Sequence, residues 1–446
     1  MNISGARRIG IIGGGVAGLS CAYFLQQQGL EPVVYETAPV LGGLASSLEL
    51  APGVSIERFY HFICQPDVDL LRLSEALGLQ VRWRETRMAL FNSGVLHPFG
   101  SPLELLRFSP LKPLDRLRVG LHVLKARRLK DWHGLDGLTA ERWLRQELGD
   151  EAYQVIWEPL LAMKFGAEHP AISAAWIWSR IARVARSRSG LLQKEKLGYL
   201  EGGTQALLTA LAERLGPRVR LGQAVEQVVF EHGRAVGLRV GGKVERYDAV
   251  VSTVPLRLLS RLAPGLPEGY RAQLEGVDYI GVSCLLLKLK RSFSPYFWTN
   301  VSDPSVPFAG CIEYTRLNPL PTLSGRAVLY VPHYLSAQEE RYAWELDRVL
   351  TEYLPSLRRM NPDFRASDIE DARLSKAPYA QVLCRTGFAA LVPPFHAPME
   401  GLYLTDSTQL YPEDRVISDL IRCAERVSEL VLRYVGTPTE KGRGEG

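Results

Sequence analysis

At the start of the chain, apolar and polar positions fall in the order strand, turn, helix, strand. Arg8 to Ile12 is a short apolar run that predicts a buried strand. Gly13-Gly14-Gly15 breaks it. Val16 to Gln28 then places Val16, Leu19 and Tyr23 on one helical stripe and stops before Gly29, as helices often do. Pro32 to Glu36 predicts a second buried strand. This is a βαβ opening.

From about 86 to 196 the pattern turns helical. Leu138 and Trp143 bracket Thr139 as a hydrophobic staple brackets a capping residue, so a helix should start there. From about 199 the α/β character returns. Thr204 to Leu215 predicts an amphipathic helix. Val225 to Phe230 and Ala235 to Val240 predict strands joined through His232-Gly233-Arg234. Asp248 to Thr253 and Gly401 to Leu404 predict two more buried strands. Residues 278 to 390 alternate strands and turns. Ile417 to Val435 repeats apolar residues at 417, 420, 421, 424, 427 and 431, a helix packed on one face. Gly436 to Gly446 is polar and Gly-rich, which predicts a disordered tail.

The chain has 446 residues, 46% hydrophobic and 23% charged, enough for two or three domains with real cores. Disulfide miniproteins, collagens, coiled coils and largely disordered proteins are excluded. The net charge of +5 does not argue for nucleic acid, and none is expected as a partner. Cys21, Cys64, Cys284, Cys311, Cys384 and Cys423 form no CxxC and no zinc spacing with histidine. Reduced packing thiols, a cytoplasmic location and no metal are the expectation. Ile9 to Leu25 imitates a signal peptide behind Arg7 and Arg8. Its five glycines and the lack of a cleavage pattern argue against that, so a soluble or peripherally membrane-associated protein is expected.

Between 100 and 130, eight Lys or Arg stand against two acids, interleaved with leucines and valines. A basic amphipathic helix within 104–130 fits an anionic membrane surface, and it also fits a solvated face.

Gly13-x-Gly15-x-x-Gly18 sits between strand and helix. Gly13 permits the tight turn, Gly15 lets backbone approach a pyrophosphate, and Gly18 lets helix and strand pack closely. With Gly14, Val16 and Ala17 they form the candidate anion site at a helix N-terminus. Glu36 follows Gly15 by 21 residues, the place for a carboxylate gripping ribose hydroxyls, and would repel a 2′-phosphate. A dinucleotide other than NADP is therefore expected.

Gly42-Gly43, followed by Leu44, comes after Glu36 with five residues between. This E-x5-G-G spacing resembles the FAD signature of the flavoprotein superfamily of amine oxidases, protoporphyrinogen oxidases, phytoene desaturases and UDP-galactopyranose mutases. The likeness runs the length of the chain. Val225 stands in a strand like the one bordering the adenine. Asp248 to Pro255, with Thr253, resembles the D-x-V-V-x-T-x-P strand. Gly401 to Asp406 resembles the returning strand whose aspartate holds the ribityl chain. The helix from Ile417 would aim at the flavin. Thr139 to Leu144, Trp157 to Leu161 and Gly198 to Gln205 resemble the protoporphyrinogen-oxidase-like branch.

The resemblance implies FAD as cofactor and an α/β fold: a Rossmann-like FAD-binding domain of glutathione-reductase type, with an interleaved α+β substrate domain. The segments would be 1–85, 196–270 and 391–435 for the first, 86–195 and 271–390 for the second, and 436–446 for the tail. Thr405-Asp406 stands where Gly-Asp is usual, and Arg415-Val416-Ile417 where small residues are usual. Val282 to Leu286 lacks the lysine that amine oxidases carry there, which argues against a simple amine oxidase.

Substrate-side candidates are Tyr60, His61, Tyr411 and Arg415. His61 could serve as base or hydrogen-bond donor, or be a structural histidine. Arg415 could hold an anionic group, or pair with Glu413 or Asp414. Trp176 and Trp178 read as core or cavity lining. The leading expectation is an FAD-dependent oxidoreductase taking hydride from a carbon of a small organic molecule, lipophilic if the basic helix docks on a membrane. The alternatives are a redox-neutral sugar mutase and a non-catalytic binding protein. Substrate, electron acceptor and oligomeric state are not encoded in these patterns.

Overall fold

The computed structural model describes residues 7–186 and 196–436. The predicted tail beyond Gly436 lies outside them. A five-stranded parallel sheet runs in the order Leu402–Leu404, Ala249–Ser252, Arg8–Ile12, Glu31–Tyr35, Val219–Arg220. Its strands read as continuous apolar runs because helices cover both faces. Ile9 and Ile11 are fully buried, and Ile12 nearly so. Helix Val16–Gln27 packs against helix Gly203–Leu215 and against the last helix, Ile417–Gly436. The last helix buries Ile421, Ala424, Val427 and Val431 along one stripe. A three-stranded antiparallel layer follows the parallel sheet. Its first hairpin, Val225–Glu231 with Arg234–Val240, turns through His232 and Gly233, both at positive φ as a tight two-residue turn demands.

The second large sheet has seven strands in the order Ile369–Val382, Tyr279–Leu289, Ala327–Leu335, Gly310–Glu313, Trp298–Val301, Met88–Asn92, Val95–Pro98. Tyr279–Leu289 is buried on both faces, and its parity shows why. Leu285, Leu287 and Leu289 pack with Val349, Tyr353 and Leu357 of one helix, Leu346–Met360. Val282, Cys284 and Leu286 pack with Ile56, Tyr314 and Tyr330.

One expectation is corrected here. The stretch after residue 86 does not begin helical. Met88–Asn92 and Val95–Pro98 form a hairpin around Ser93-Gly94 and complete the seven-stranded sheet, and helices start at Pro102. A short apolar run such as Met88 to Phe91 has no period that separates strand from helix. The predicted capped helix does form at Thr139, whose hydroxyl accepts from Arg142 N.

Glu57 ties the two sheet systems together. Its Oε1 accepts from Thr204 N at 2.8 Å, and its backbone carbonyl accepts from the Tyr330 hydroxyl at 2.6 Å. Gly203 must be glycine, since its φ is +68° and a Cβ would lie 2.8 Å from Glu57 Oε1. Burial raises the Glu57 carboxyl above the usual range. Glu57→Ala keeps the carbonyl bond to Tyr330 and is expected to cost about 3 kcal/mol through the bond lost from Thr204 N and a residual cavity. Chemical denaturation checks this, and a loss below about 1 kcal/mol would contradict the tie.

Helix Pro113–Arg128 turns Asp115, Val119, His122 and Ala126 inward. Leu114, Leu117 and Leu121 stand outward at 59%, 53% and 56% exposure, beside exposed Leu103 and Leu106 of the preceding helix. Among the described residues no helix is long and apolar enough to cross a membrane. All six cysteines are buried and unbridged.

Candidate cofactor and active site

The glycine turn is built by close approach. Gly13 has φ +107°, and its N–H donates to Tyr35 O at 2.9 Å. A Cβ on Gly18 would meet Gly13 O at 1.9 Å, so strand and helix can pack this tightly only around glycine. Gly15 is different. Nothing lies nearer its missing Cβ than Gly42 O at 3.8 Å. It is the N-cap residue of the helix that starts with Val16 and Ala17, and no side chain caps that terminus. Gly42 N donates to Gly14 O at 2.9 Å, so the second glycine pair docks on the first. Gly43 faces Gly15 with only its Cα at 3.9 Å, and Leu44 continues the turn Gly43–Ala45.

The Glu36 carboxylate accepts from Gly14 N and Ala38 N, both at 2.8 Å, which fixes its orientation. It lines a cavity of about 280 Å³ with Gly13, Tyr35, Val225, Val254 and Leu258. The Thr253 hydroxyl donates to Ile12 O at 2.9 Å and so braces the glycine turn. Free helix N–H groups, two glycines with open Cβ positions and an acid beside a cavity fit a dinucleotide.

Asp406 is 6% exposed, and both its oxygens are engaged, by the Tyr279 hydroxyl at 2.7 Å and Thr408 N at 2.8 Å. Burial pushes its carboxyl up. Its contacts in the structure thus run into the protein. Ile417 is the first residue of the last helix. Its neighbour Ser418 accepts from Asp69 N and Leu70 N at 3.2 Å each, docking this terminus on helix Val68–Ala76.

Tyr60 and Arg415 come together through Tyr334. The Tyr60 and Tyr334 hydroxyls are 3.5 Å apart, and Arg415 Nη2 donates to Tyr334 at 3.3 Å. Arg415 Nε donates to Gln381 Oε1 at 3.3 Å. The ion pair with Glu413 or Asp414 that the sequence allowed does not form. Arg422 takes Glu413 at 2.8 Å, and Arg180 takes Asp414.

His61 Nδ1 is buried without a partner. Burial, then the nearby Arg415 charge, lowers its pKa to about 4. Its neutral ring is the form that contributes stability, fully above the usual histidine value near pH 6.5 and lost as pH falls toward 4. In an NMR titration, the resonance lost in His61→Gln is expected to stay in the neutral position down to pH 5. An inflection near 6.5 would contradict the burial argument.

Tyr411 stands apart from this group. Its hydroxyl bonds Asp136 and, at 2.8 Å, Ser173, and its ring packs on Trp132 and Phe388.

The sequence reading missed Lys164, Arg180 and Tyr334. Lys164 Nζ lies 4.9 Å from the ring centroids of both Trp176 and Tyr334. Arg180 lies 5.0 Å from the Trp176 ring, which is 1% exposed. A lone lysine in the apolar stretch Leu160 to Phe165 was the available signal.

The family model described as flavin containing amine oxidoreductase matches residues 16–393. A putative flavin-containing monoamine oxidase of Mycobacterium tuberculosis is 27% identical over 281 residues, 58% of this chain and 60% of that protein. The chain thus matches less than two thirds of that relative's length. Among solved structures, a putative protoporphyrinogen oxidase from Exiguobacterium superposes with TM-score 0.75 at 18% identity, covering 96% of this chain and 99% of that one. Reduced UDP-galactopyranose mutase gives TM-score 0.75 at 15% identity, covering 97% and 94%. With most of its length matched by the family model, the chain belongs to the flavin-containing amine oxidoreductases.

Proposed function

We propose that this protein removes a hydride from a carbon of an organic substrate held beside bound FAD. When bound, FAD supplies the two-electron acceptor. The observation that carries the reading is the docking of Gly42-Gly43 onto Gly13-Gly14-Gly15 beside the Glu36 cavity. The backbone at Gly15 and Gly43 and the N-terminus at Val16 would hold the pyrophosphate, Glu36 the ribose hydroxyls, and Val225 the adenine side. Asp406 and Ile417 would frame the flavin end from within the fold. Segments 1–85, 196–270 and 391–435 would then form the cofactor domain, and 86–195 and 271–390 the substrate domain. Tyr60, His61 and Arg415 stand on the substrate side, where they orient the molecule and exclude water.

Anaerobic titration of the yellow protein with isoprenoids, porphyrinogens, amines and nucleotide sugars tests this. One class should bleach the flavin stoichiometrically. Protein that purifies colourless and takes up no FAD would defeat the proposal. A redox-neutral mutase is the second reading, favoured by Arg180 near Arg415 as a pair of arginines for a diphosphate. It requires nucleotide-sugar binding that depends on flavin reduction.

The outward leucines carry a second part of the proposal. Leu114, Leu117 and Leu121 share one helix face with Arg118, Lys125 and Arg128, and an anionic bilayer matches both the apolar stripe and its charge. Liposomes with anionic lipid should co-sediment the protein at low salt, and Leu117→Glu with Leu121→Glu should abolish this. Equal binding to neutral liposomes would remove the charge from the account, and no binding to either would remove the membrane.

A further inference from the structure

The substrate side carries positive charge that removal of a hydride does not call for. Lys164 and Arg415 meet at one residue: Lys164 Nζ is 4.9 Å from the Tyr334 ring centroid, and Arg415 donates to the Tyr334 hydroxyl. Among the described residues, neither has a carboxylate partner. The nearby acids are taken, Asp414 by Arg180 and Glu413 by Arg422. Arg180 keeps 35% of its side chain accessible, yet loss of bulk water lowers its pKa. The charges of Arg183 and Arg415 act on it in the same direction. Three polypeptide segments thus aim cations at one place, the helices holding Lys164 and Arg180 and the loop holding Arg415.

Cations gathered without a counter-ion repel one another, and that repulsion is relieved when a ligand brings the counter-charge. We propose that Lys164 and Arg415 form the recognition site for an anionic group, a carboxylate or phosphate, on the organic substrate. The hydroxyls of Tyr60 and Tyr334, 3.5 Å apart, complete its hydrogen-bonding shell. This rests on the proposed hydride-transfer reading and narrows it. A protonated amine would meet two like charges, so the substrate is set apart from that of a simple amine oxidase.

Lys164 offers an independent signature. Loss of water, then the charges of Arg180 and Arg415, hold its pKa well below the usual lysine range. The groups facing it are Arg180, Arg415, Cys384 and the rings of Phe165, Trp176 and Tyr334. An arriving anion opposes those causes and raises it, so binding should take up a proton in the pH range where Lys164 titrates.

The test titrates the FAD-loaded enzyme with benzoate, phenyl phosphate and benzylamine. Binding is read by the flavin absorbance and by calorimetry in two buffers of different protonation enthalpy at each pH of a series that spans the Lys164 titration. Benzoate or phenyl phosphate should bind with proton uptake, and benzylamine should bind more weakly than either. The tighter of the two anions identifies the group. Lys164→Met and Arg415→Met should each weaken the anion by about tenfold or more, at unchanged FAD content. Lys164→Met should also abolish the proton uptake. Benzylamine binding more tightly than both anions, unaltered anion binding in both variants, or loss of FAD in place of the anion would overturn the proposal. A colourless protein that still binds the anion in the calorimeter would sink the hydride-transfer reading alone.

Discussion

Gly15→Asp is expected to give a folded, colourless protein. The backbone at Gly15 is extended, with φ −77° and ψ −179°, which aspartate adopts freely. Nothing lies nearer than 3.8 Å to the new Cβ. Aspartate is also a favoured N-cap residue, so the helix from Val16 should be at least as stable. The same carboxylate would occupy the N–H groups that the pyrophosphate needs and would repel it. At 4 Å and an effective dielectric near 20, one like-charge pair costs about 4 kcal/mol. That is about a thousand-fold in Kd. Bound-flavin absorbance at unchanged circular dichroism is the measurement. A yellow variant with full flavin content would show that this turn does not hold the cofactor. The variant also separates an enzyme from a non-catalytic surface binder, since liposome co-sedimentation should survive it.

Gly18→Ala is expected to fail the other way, by not folding. Its Cβ would sit 1.9 Å from Gly13 O and 3.0 Å from Thr253 Oγ1. The first clash is with backbone that itself anchors the strand edge, so the helix must lift off the sheet. Overpacking of this kind costs about 3 kcal/mol or more. Little soluble protein is expected, or a lowered denaturation midpoint in what survives. Gly134→Ala is the control, because its Cβ position is open and its φ is not positive. That change should stay within about 0.5 kcal/mol. Equal stability of the Gly18 and Gly134 variants would refute the packing argument.

These glycines show what the sequence makes legible. Local devices could be read: the turn at Gly13, the acid at Glu36, the cap at Thr139 and the stripe of the last helix all act within a few residues. The hairpin at Met88 to Pro98 was hidden because its partner strand, Trp298–Val301, lies far along the chain. The same limit hid the cation site. Lys164, Arg180 and Arg415 share no spacing, and Tyr334 and Trp176 bring them together only in space. Tyr411 and Arg415 are near in sequence, yet the chain turns one toward Asp136 and the other toward Tyr334. The Asp406 contacts with Tyr279 and Thr408 were likewise beyond a strand motif.

The strand order has a consequence for biosynthesis. Arg8–Ile12 leaves the ribosome early, but Ala249–Ser252, which pairs with it, and Leu402–Leu404, which covers that strand in turn, arrive much later. The nascent polypeptide therefore carries unpaired β edges until those strands emerge, a state prone to aggregation. Contacts of such high sequence separation also slow folding once synthesis ends. Chaperone engagement during translation should persist until the final strand emerges, and ribosome-stalled chains ending before Leu402 should remain protease-sensitive.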